Sequence, residues 1–366
     1  MPRLTGKQFG YLLQALLDAF PSLSRLRELC RVRLGKNLDE IALGDSLREI
    51  AFKLIESAEA EGWTFQLVRA AREANPGNSA LFAFAQPFGL ASTSAGRGEL
   101  ERIVRTANRF HDVATWRARL GALEAAVCRV EIASGRSTHY GTGFLVGPDL
   151  LLTNHHVLAP VLDGTVPPDR VLLRFDYKQL ADGTPISQGT TFRLAPNWNV
   201  DASPPSPLDL DPVPRTGVPS EDELDHALVR VDGEPGEAPV GGTGEPGAAR
   251  RGWVRFPKIE RGPLSEGSPL HILQHPSAAP LKLALDTNAI LGENANRTRV
   301  KYRTNTEPGS SGSPCFDSDW ELVALHHAGD PNYQSLHQPE FNQGIPVDAL
   351  RARFARRGLL DRFEDI

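Results

Sequence analysis

Three short strings carry side chains that could do chemistry together. They are Gly309-Ser310-Ser311-Gly312-Ser313-Pro314, Leu152-Thr153-Asn154-His155-His156-Val157-Leu158 and Asp225-His226-Ala227-Leu228-Val229-Arg230-Val231. A serine hydroxyl becomes a competent nucleophile when an imidazole takes its proton, and the imidazole works best when a carboxylate fixes its tautomer and stabilises its charged form. Glycines flanking such a serine allow the tight turn that points backbone N–H groups at a developing oxyanion. That set of groups attacks a carbonyl carbon. Taken singly, each string has a plain structural reading: a polar loop, a satisfied histidine at a strand end, an aspartate in a turn. Their order along one region favours the joint reading, with Ser311 as nucleophile and Asp225 as the acid. Adjacent histidines project to opposite sides of an extended chain, so only one of His155 and His156 can serve as the base.

The elements that must position these groups read as β. From Val127 onward, VCRVEI, GTGFLV, DLLLTN, VLLRF, HALVRV, PLHIL and ELVAL are separated by Gly, Pro, Asp and Asn, the pattern of an all-β barrel or sandwich. Ser203 to Ser220 and Gly233 to Gly252 are rich in Pro and Gly and read as surface loops between strands.

The N-terminal part is helical. Thr5 with Gln8 forms a capping box before Phe9, Leu12, Leu13, Leu16, Leu17 and Phe20, and Pro21 stops that helix. Further helices are expected up to Gly35, from Asp45-Ser46 to Gly62, from a cap at Thr64 to Asn75-Pro76, and over Ser79 to Ala85. Five or so amphipathic helices make a bundle that contains no apposed acid and base, no metal spacing and no phosphate loop. Pro87 to Gly98 reads as a linker, followed by helical periodicity through Leu100, Ile103, Val104 and Phe110 and again near Trp116, Leu120 and Leu123.

Both halves resemble known families. GTGFLV, TNHHV, DHALV and PGSSGSP are similar to the motifs of trypsin-like serine peptidases of bacterial type, over a stretch from about residue 125 to FNQGIPVDAL near 350. The His, Asp, Ser order is that of chymotrypsin-like enzymes. The resemblance implies an all-β double barrel and selects His156 over His155. It also implies an oxyanion hole formed by the N–H groups of Gly309 and Ser311. Ser310 stands where zymogen-activated members carry an aspartate, so control is expected instead from recruitment, oligomerisation or ordering of the long loops. Asn305 occupies the position of the aspartate that gives Arg/Lys specificity, while Thr306 and His326 match residues with which glutamyl endopeptidases hold an acidic side chain. The resemblance thus leaves cleavage after Glu or Asp open.

The first 85 or so residues, from LTGKQFGYLLQALLDAF to NPGNSAL, resemble the effector-associated domain of type one, a bacterial family of death-domain-like bundles. This implies an adaptor that docks on a partner carrying a similar bundle, in bacterial defence or conflict systems. By the same context the substrate would be a protein, such as a pore-forming effector.

Composition bounds these readings. A net charge of -5 over 366 residues, with no basic run, argues against nucleic acid as a partner. No apolar stretch is long enough to cross a bilayer, no signal peptide is read at the N-terminus, and the three scattered cysteines give no disulfide framework; a cytoplasmic location is expected. His271 and His275 would lie about 13 Å apart in a strand, too far to share an ion, so no metal and no cofactor are expected. The expected architecture is multidomain α and β: a helical domain over 1–90, a linker with a helical segment over 91–117, and an all-β peptidase domain over 118–366. A catalytically silent pseudopeptidase acting as a scaffold is the rival reading.

Overall fold

The computed structural model describes residues 4–88, 90, 110–209, 217–242, 248–332 and 337–364. They fall into two compact units divided between residues 104 and 105. The linker expected up to Gly98, from residue 91 on, and the periodicity at Leu100 to Val104 lie outside the described residues.

In the first unit the helices are α1 (Gly6–Ala19), α2 (Leu23–Glu28), α3 (Leu38–Ile41), α4 (Leu47–Ala60), α5 (Thr64–Ala74) and α6 (Ser79–Ala85), with a π turn at Leu29–Arg33. Thr5 and Gln8 form the expected capping box, and Ser46 caps α4. Thr64 is not a cap: it is the first residue of α5, whose preceding residue is Trp63. The short α3 was not anticipated, because four residues of Leu-Asp-Glu-Ile carry too little periodicity to be legible. Leu12, Leu16, Leu26, Leu54, Ile55, Leu67 and Leu81 form the core of this bundle.

The second unit begins with α7 (Val113–Ala126), capped by Asp112, so one helix runs across the expected boundary at 117/118. Among the described residues fourteen strands follow: β1 (Val127–Ser134), β2 (Ser137–Leu145), β3 (Leu150–Thr153), β4 (Val171–Gln179), β5 (Pro185–Phe192), β6 (Leu194–Ser203), β7 (His226–Val231), β8 (Leu270–Gln274), β9 (Lys282–Asp286), β10 (Ile290–Glu293), β11 (Val300–Tyr302), β12 (Pro314–Phe316), β13 (Leu322–Gly329) and β14 (Asn342–Pro346). Helix α8 (His155–Leu162) follows β3, and α9 (Val347–Arg356) and α10 (Asp361–Glu364) close the described chain. The strands form two seven-stranded antiparallel sheets, ordered β5-β4-β1-β2-β3-β7-β6 and β10-β11-β14-β13-β12-β8-β9. A helical bundle followed by this two-sheet, all-β domain is the expected fold class.

Seven strands, among them β5, β6 and β9, were not read from the sequence. β5 is PISQGTTF, with few apolar residues, and β6 is LAPNWNVDAS, whose apolar residues do not alternate regularly and whose pairing with β7 shifts register; both are edge strands that pairing rather than side-chain pattern fixes. β7 is buried on nearly every residue, lying between β3 and β6. Leu151, Leu152, Leu228 and Val229 are fully buried there, and the core continues to Phe316, Leu325, Ile345 and Phe354 from the second sheet and α9.

The two Pro/Gly-rich stretches are more than surface loops. Ser203, Ser206 and Asp209 are buried in one, and Arg251 in the other. Arg251 makes a bidentate pair with Asp176, at 2.8 Å to each oxygen, and its guanidinium lies 4.6 Å from the Phe175 ring centre. Removing one partner of such a pair strands the other's charge in the interior. Arg251→Met is therefore expected to cost about 3–5 kcal/mol in denaturant unfolding of the chain, with part regained in Arg251→Met/Asp176→Asn. Equal losses in both variants would show that charge compensation is not what the packing needs.

Candidate active site

The imidazole sits at the start of a helix, not in an extended chain as the sequence suggested. His155 and His156 open the first turn of α8, so their side chains diverge by the helical rotation. Asn154 precedes them, and its side-chain amide donates to the Asp225 carbonyl at 2.8 Å. The His155 Nδ1 is buried without a partner among the described residues, whereas the His156 side chain is 40% exposed in a cleft of about 1270 Å³.

Asp225 lies just before β7 with a φ of 39°, a left-handed conformation. Such a backbone costs an L-residue about 1–2 kcal/mol. It is held by its own N–H, which donates to the Pro204 carbonyl at 3.1 Å, and by the Asn154 amide. The carboxylate is 1% exposed and accepts from three donors. His156 supplies its backbone N–H to Oδ1 at 3.0 Å and Nδ1–H to Oδ2 at 2.7 Å. His327 supplies Nδ1–H to Oδ2 at 3.1 Å. Burial alone would raise the acid's pKa, but the histidine hydrogen bonds more than offset it and hold the group well below the usual carboxylate range.

Ser311 lines the same cleft as His156 and Asp225. No hydrogen bond joins its hydroxyl to His156 among the described residues, a separation common in ligand-free sites of this chemistry. The serine turn is stitched to β2. Thr142 donates its N–H to the Ser311 carbonyl at 2.8 Å and its hydroxyl to the Gly309 carbonyl at 2.9 Å, while its own carbonyl accepts from Thr153 Oγ1 at 2.7 Å. Gly312, at φ 89°, leaves no room for a side chain: a Cβ would stand 2.0 Å from the Thr142 carbonyl oxygen. Gly309, at φ 97°, would bring a Cβ to 2.8 Å from the His275 carbonyl oxygen. The N–H groups of Ser310, Gly312 and Ser313 are bonded within the fold, but those of Gly309 and Ser311 make no hydrogen bond among the described residues.

The profile of the trypsin-like peptidase domain matches residues 141–325, just over half of the chain. The chain belongs to the trypsin-like peptidase family. Residues 2–89 match effector-associated domain 1. A protein of Sinorhizobium fredii described as uncharacterized, y4fB, is 31% identical over 224 residues, which are 59% of this chain and 29% of that protein. The chain thus spans under a third of the curated relative it matches. Solved structures that the chain matches include the Rv3671c protease from M. tuberculosis in its active form (16% identity, 69% of this chain and 93% of that chain, TM-score 0.41). A serine endoprotease from Yersinia pestis is 13% identical, with 69% of each chain covered and a TM-score of 0.43.

The remaining expected residues of the peptidase domain line the cleft too. Asn305, Thr306 and His326 are joined there by Arg303, whose exposed guanidinium has no partner among the described residues. His326 is 3% exposed, with Nδ1 2.6 Å from the Tyr302 hydroxyl. Burial, with the nearby His327 and His156, pushes its pKa down to about 3, so it is neutral near pH 7. His275 is buried, its N–H on Thr142 Oγ1 and its ring against the Ala279 carbonyl, a structural role beside the serine turn. Sequence reasoning missed Thr142, His327 and Gln343. Thr142 lay within the GTGFLV motif and His327 beside His326, but neither string says which side chain reaches the acid or the serine turn.

A depressed acid has a definite consequence for stability. Because the folded-state pKa of Asp225 lies below its unfolded value, its stabilisation is complete above about pH 4 and is lost as pH falls through the folded value. The unfolding free-energy gap between the unmodified protein and Asp225→Asn is expected to be largest at neutral pH and to shrink below about pH 4. A gap that does not change over that range would mean the carboxylate is not held as its hydrogen bonds indicate.

Proposed function

We propose that this chain is a serine endopeptidase in which His156, Asp225 and Ser311 act together. The observation that carries the reading is the 2.7 Å bond from His156 to a fully buried Asp225, facing a cleft that Ser311 also lines. His156 Nε2 takes the Ser311 proton as Oγ attacks the peptide carbonyl, and the Gly309 and Ser311 N–H groups receive the oxyanion. The imidazolium then gives its proton to the leaving amine, which departs as the acyl-enzyme forms. Water repeats the sequence to release the acid. Asp225 holds the Nδ1–H tautomer throughout and stays ionised.

For the residue before the cut, Thr306, a neutral His326 and the unpaired Arg303 favour an acidic side chain, and Asn305 offers no charge to a basic one. The helical unit would recruit the peptidase to a partner with a similar bundle, in a defence or conflict system, with another effector such as a pore-forming protein as substrate. The resemblance of that unit to effector-associated domains supports this reading. The rival, a pseudopeptidase that binds without cutting, draws on the missing Ser311 to His156 hydrogen bond.

Digestion of a peptide library by the purified chain, compared with Ser311→Ala and read by mass spectrometry, separates the two. Cleavage only by the unmodified protein, mostly after Glu or Asp, is expected. Absence of cleavage even when the helical units are forced to cluster would favour the scaffold. For specificity, Arg303→Gln is expected to raise KM for acidic peptides on the order of 10-fold with kcat little changed, since it removes a charge from the pocket and not from the reacting centre. An unchanged preference would remove Arg303 from the reading.

A further inference from the structure

The acid of this site is held from behind by a buried chain of polar groups that the reaction as described does not use. His327, 2% exposed, follows His326 on β13; both residues border the cleft, and the His327 ring reaches Asp225. Its Nδ1 meets Asp225 Oδ2 at 3.1 Å, and its Nε2 lies 3.0 Å from Gln343 Nε2 on β14. The same Gln343 nitrogen lies 2.9 Å from Asp209 Oδ1, and Asp209 pairs with Arg299 through both oxygens, at 3.0 Å and 2.6 Å. Arg299 also donates to the Glu223 carbonyl at 2.6 Å and the Thr298 carbonyl at 2.8 Å. Arg299, Asp209, Gln343 and His327 are all buried.

The chemistry of these groups allows one assignment of protons. Asp209 is paired with a guanidinium and only accepts, so the Gln343 atom facing it is the amide nitrogen, with two hydrogens to give. One goes to Asp209 and the other to His327 Nε2, which must therefore carry a lone pair. His327 is then neutral with its proton on Nδ1, and that proton points at Asp225. Burial, the leading influence, also lowers the pKa of His327, with the neighbouring Arg299 acting in the same direction and Asp225 and Asp209 against it.

We infer that His327 is a positioning residue for the triad acid, and that Gln343, Asp209 and Arg299 set its tautomer and couple the acid to the Ser203 to Asp209 stretch. Asp225 Oδ2 is shared between two histidine donors, one on α8 and one on β13, so the carboxylate cannot rotate away from His156 without breaking the His327 bond. The link to the stretch is direct. Asp209 lies in it, the Ser206 N–H donates to Asp209 Oδ2 at 3.2 Å, and Glu223, whose carbonyl Arg299 holds, lies two residues before Asp225. A partner or substrate that displaces this stretch would loosen the acid through Arg299 and Asp209, with no contact to His156 itself. This inference rests on the peptidase reading for its kinetic consequence but not for its geometry.

Two measurements keep those apart. Proton NMR of the full chain, with histidines labelled by nitrogen-15, should give two far-downfield Nδ1–H signals from His156 and His327, both bonded to Asp225 and both lost in Asp225→Asn. His327→Gln should remove one and move the other, and Gln343→Met should shift the His327 signal while leaving the protein folded. This holds whether or not the protein cuts peptides. If the reading as a peptidase also holds, His327→Leu should lower kcat per titratable active site on the order of 10- to 100-fold with little change in KM. It should also move the acid limb of kcat/KM to higher pH, because a carboxylate with one donor fewer holds the His156 imidazolium more strongly. His327→Gln, which keeps an N–H donor, should recover most of the loss. A single downfield signal that His327→Gln leaves unmoved would overturn the inference, as would a His327→Leu enzyme whose pH profile and kcat per active site match those of the unmodified protein.

Discussion

A carboxylate with 1% of its side chain exposed has to be supplied with hydrogen bonds, and the arrangement around Asp225 follows from that requirement. Two donors come from His156, at the start of α8, and one from His327 on β13. α8 packs in the first sheet's lobe and β13 belongs to the second, so satisfying one acid ties both sheets to one point. The left-handed backbone at Asp225, clasped by Asn154 and Pro204, is the local cost of presenting both carboxylate oxygens to these donors.

The serine turn is fixed by an analogous crossing. Thr142 on β2 uses its N–H, hydroxyl and carbonyl to engage Ser311, Gly309 and Thr153, while His275 from the second sheet donates to the same hydroxyl. The two glycines of the turn sit where a Cβ would collide with backbone carbonyls of residues 142 and 275. Close approach, more than turn flexibility, is the reason those positions are glycine. With its neighbours' N–H groups bonded inside the fold, the turn leaves the N–H groups of Gly309 and Ser311 without a hydrogen bond among the described residues.

The helical unit uses a different economy. Its short helices are held by caps at Thr5, Ser22, Asn37, Ser46 and Asn78 and by one apolar core. Among the described residues no helix of either unit is long and apolar enough to cross a membrane. Tyr11, Val32 and Leu43 remain exposed on the bundle, as scattered side chains that burial in the monomer does not explain.

Much of this was legible in the chain itself. Capping boxes, helix stops and the motifs around His156, Asp225 and Ser311 are local signals, set by residues within a few positions of one another, and a linear reading can register them. Periodicity placed most helices of the bundle and the central, apolar strands. It missed β5 and β6, whose sequences lack a regular alternation and become strands where β4 and β7 offer them edges to pair with. The two loop-like stretches were misjudged for a related reason. Arg251 and Asp209 look like surface residues until partners 75 and 90 positions away, Asp176 and Arg299, bury with them. The sequence by itself determined which residue types were available for acyl transfer and in what order. Tertiary structure alone decided that His327 backs the acid and that Thr142 braces the serine, since a hydrogen bond between residues 102 or 167 positions apart has no linear signature.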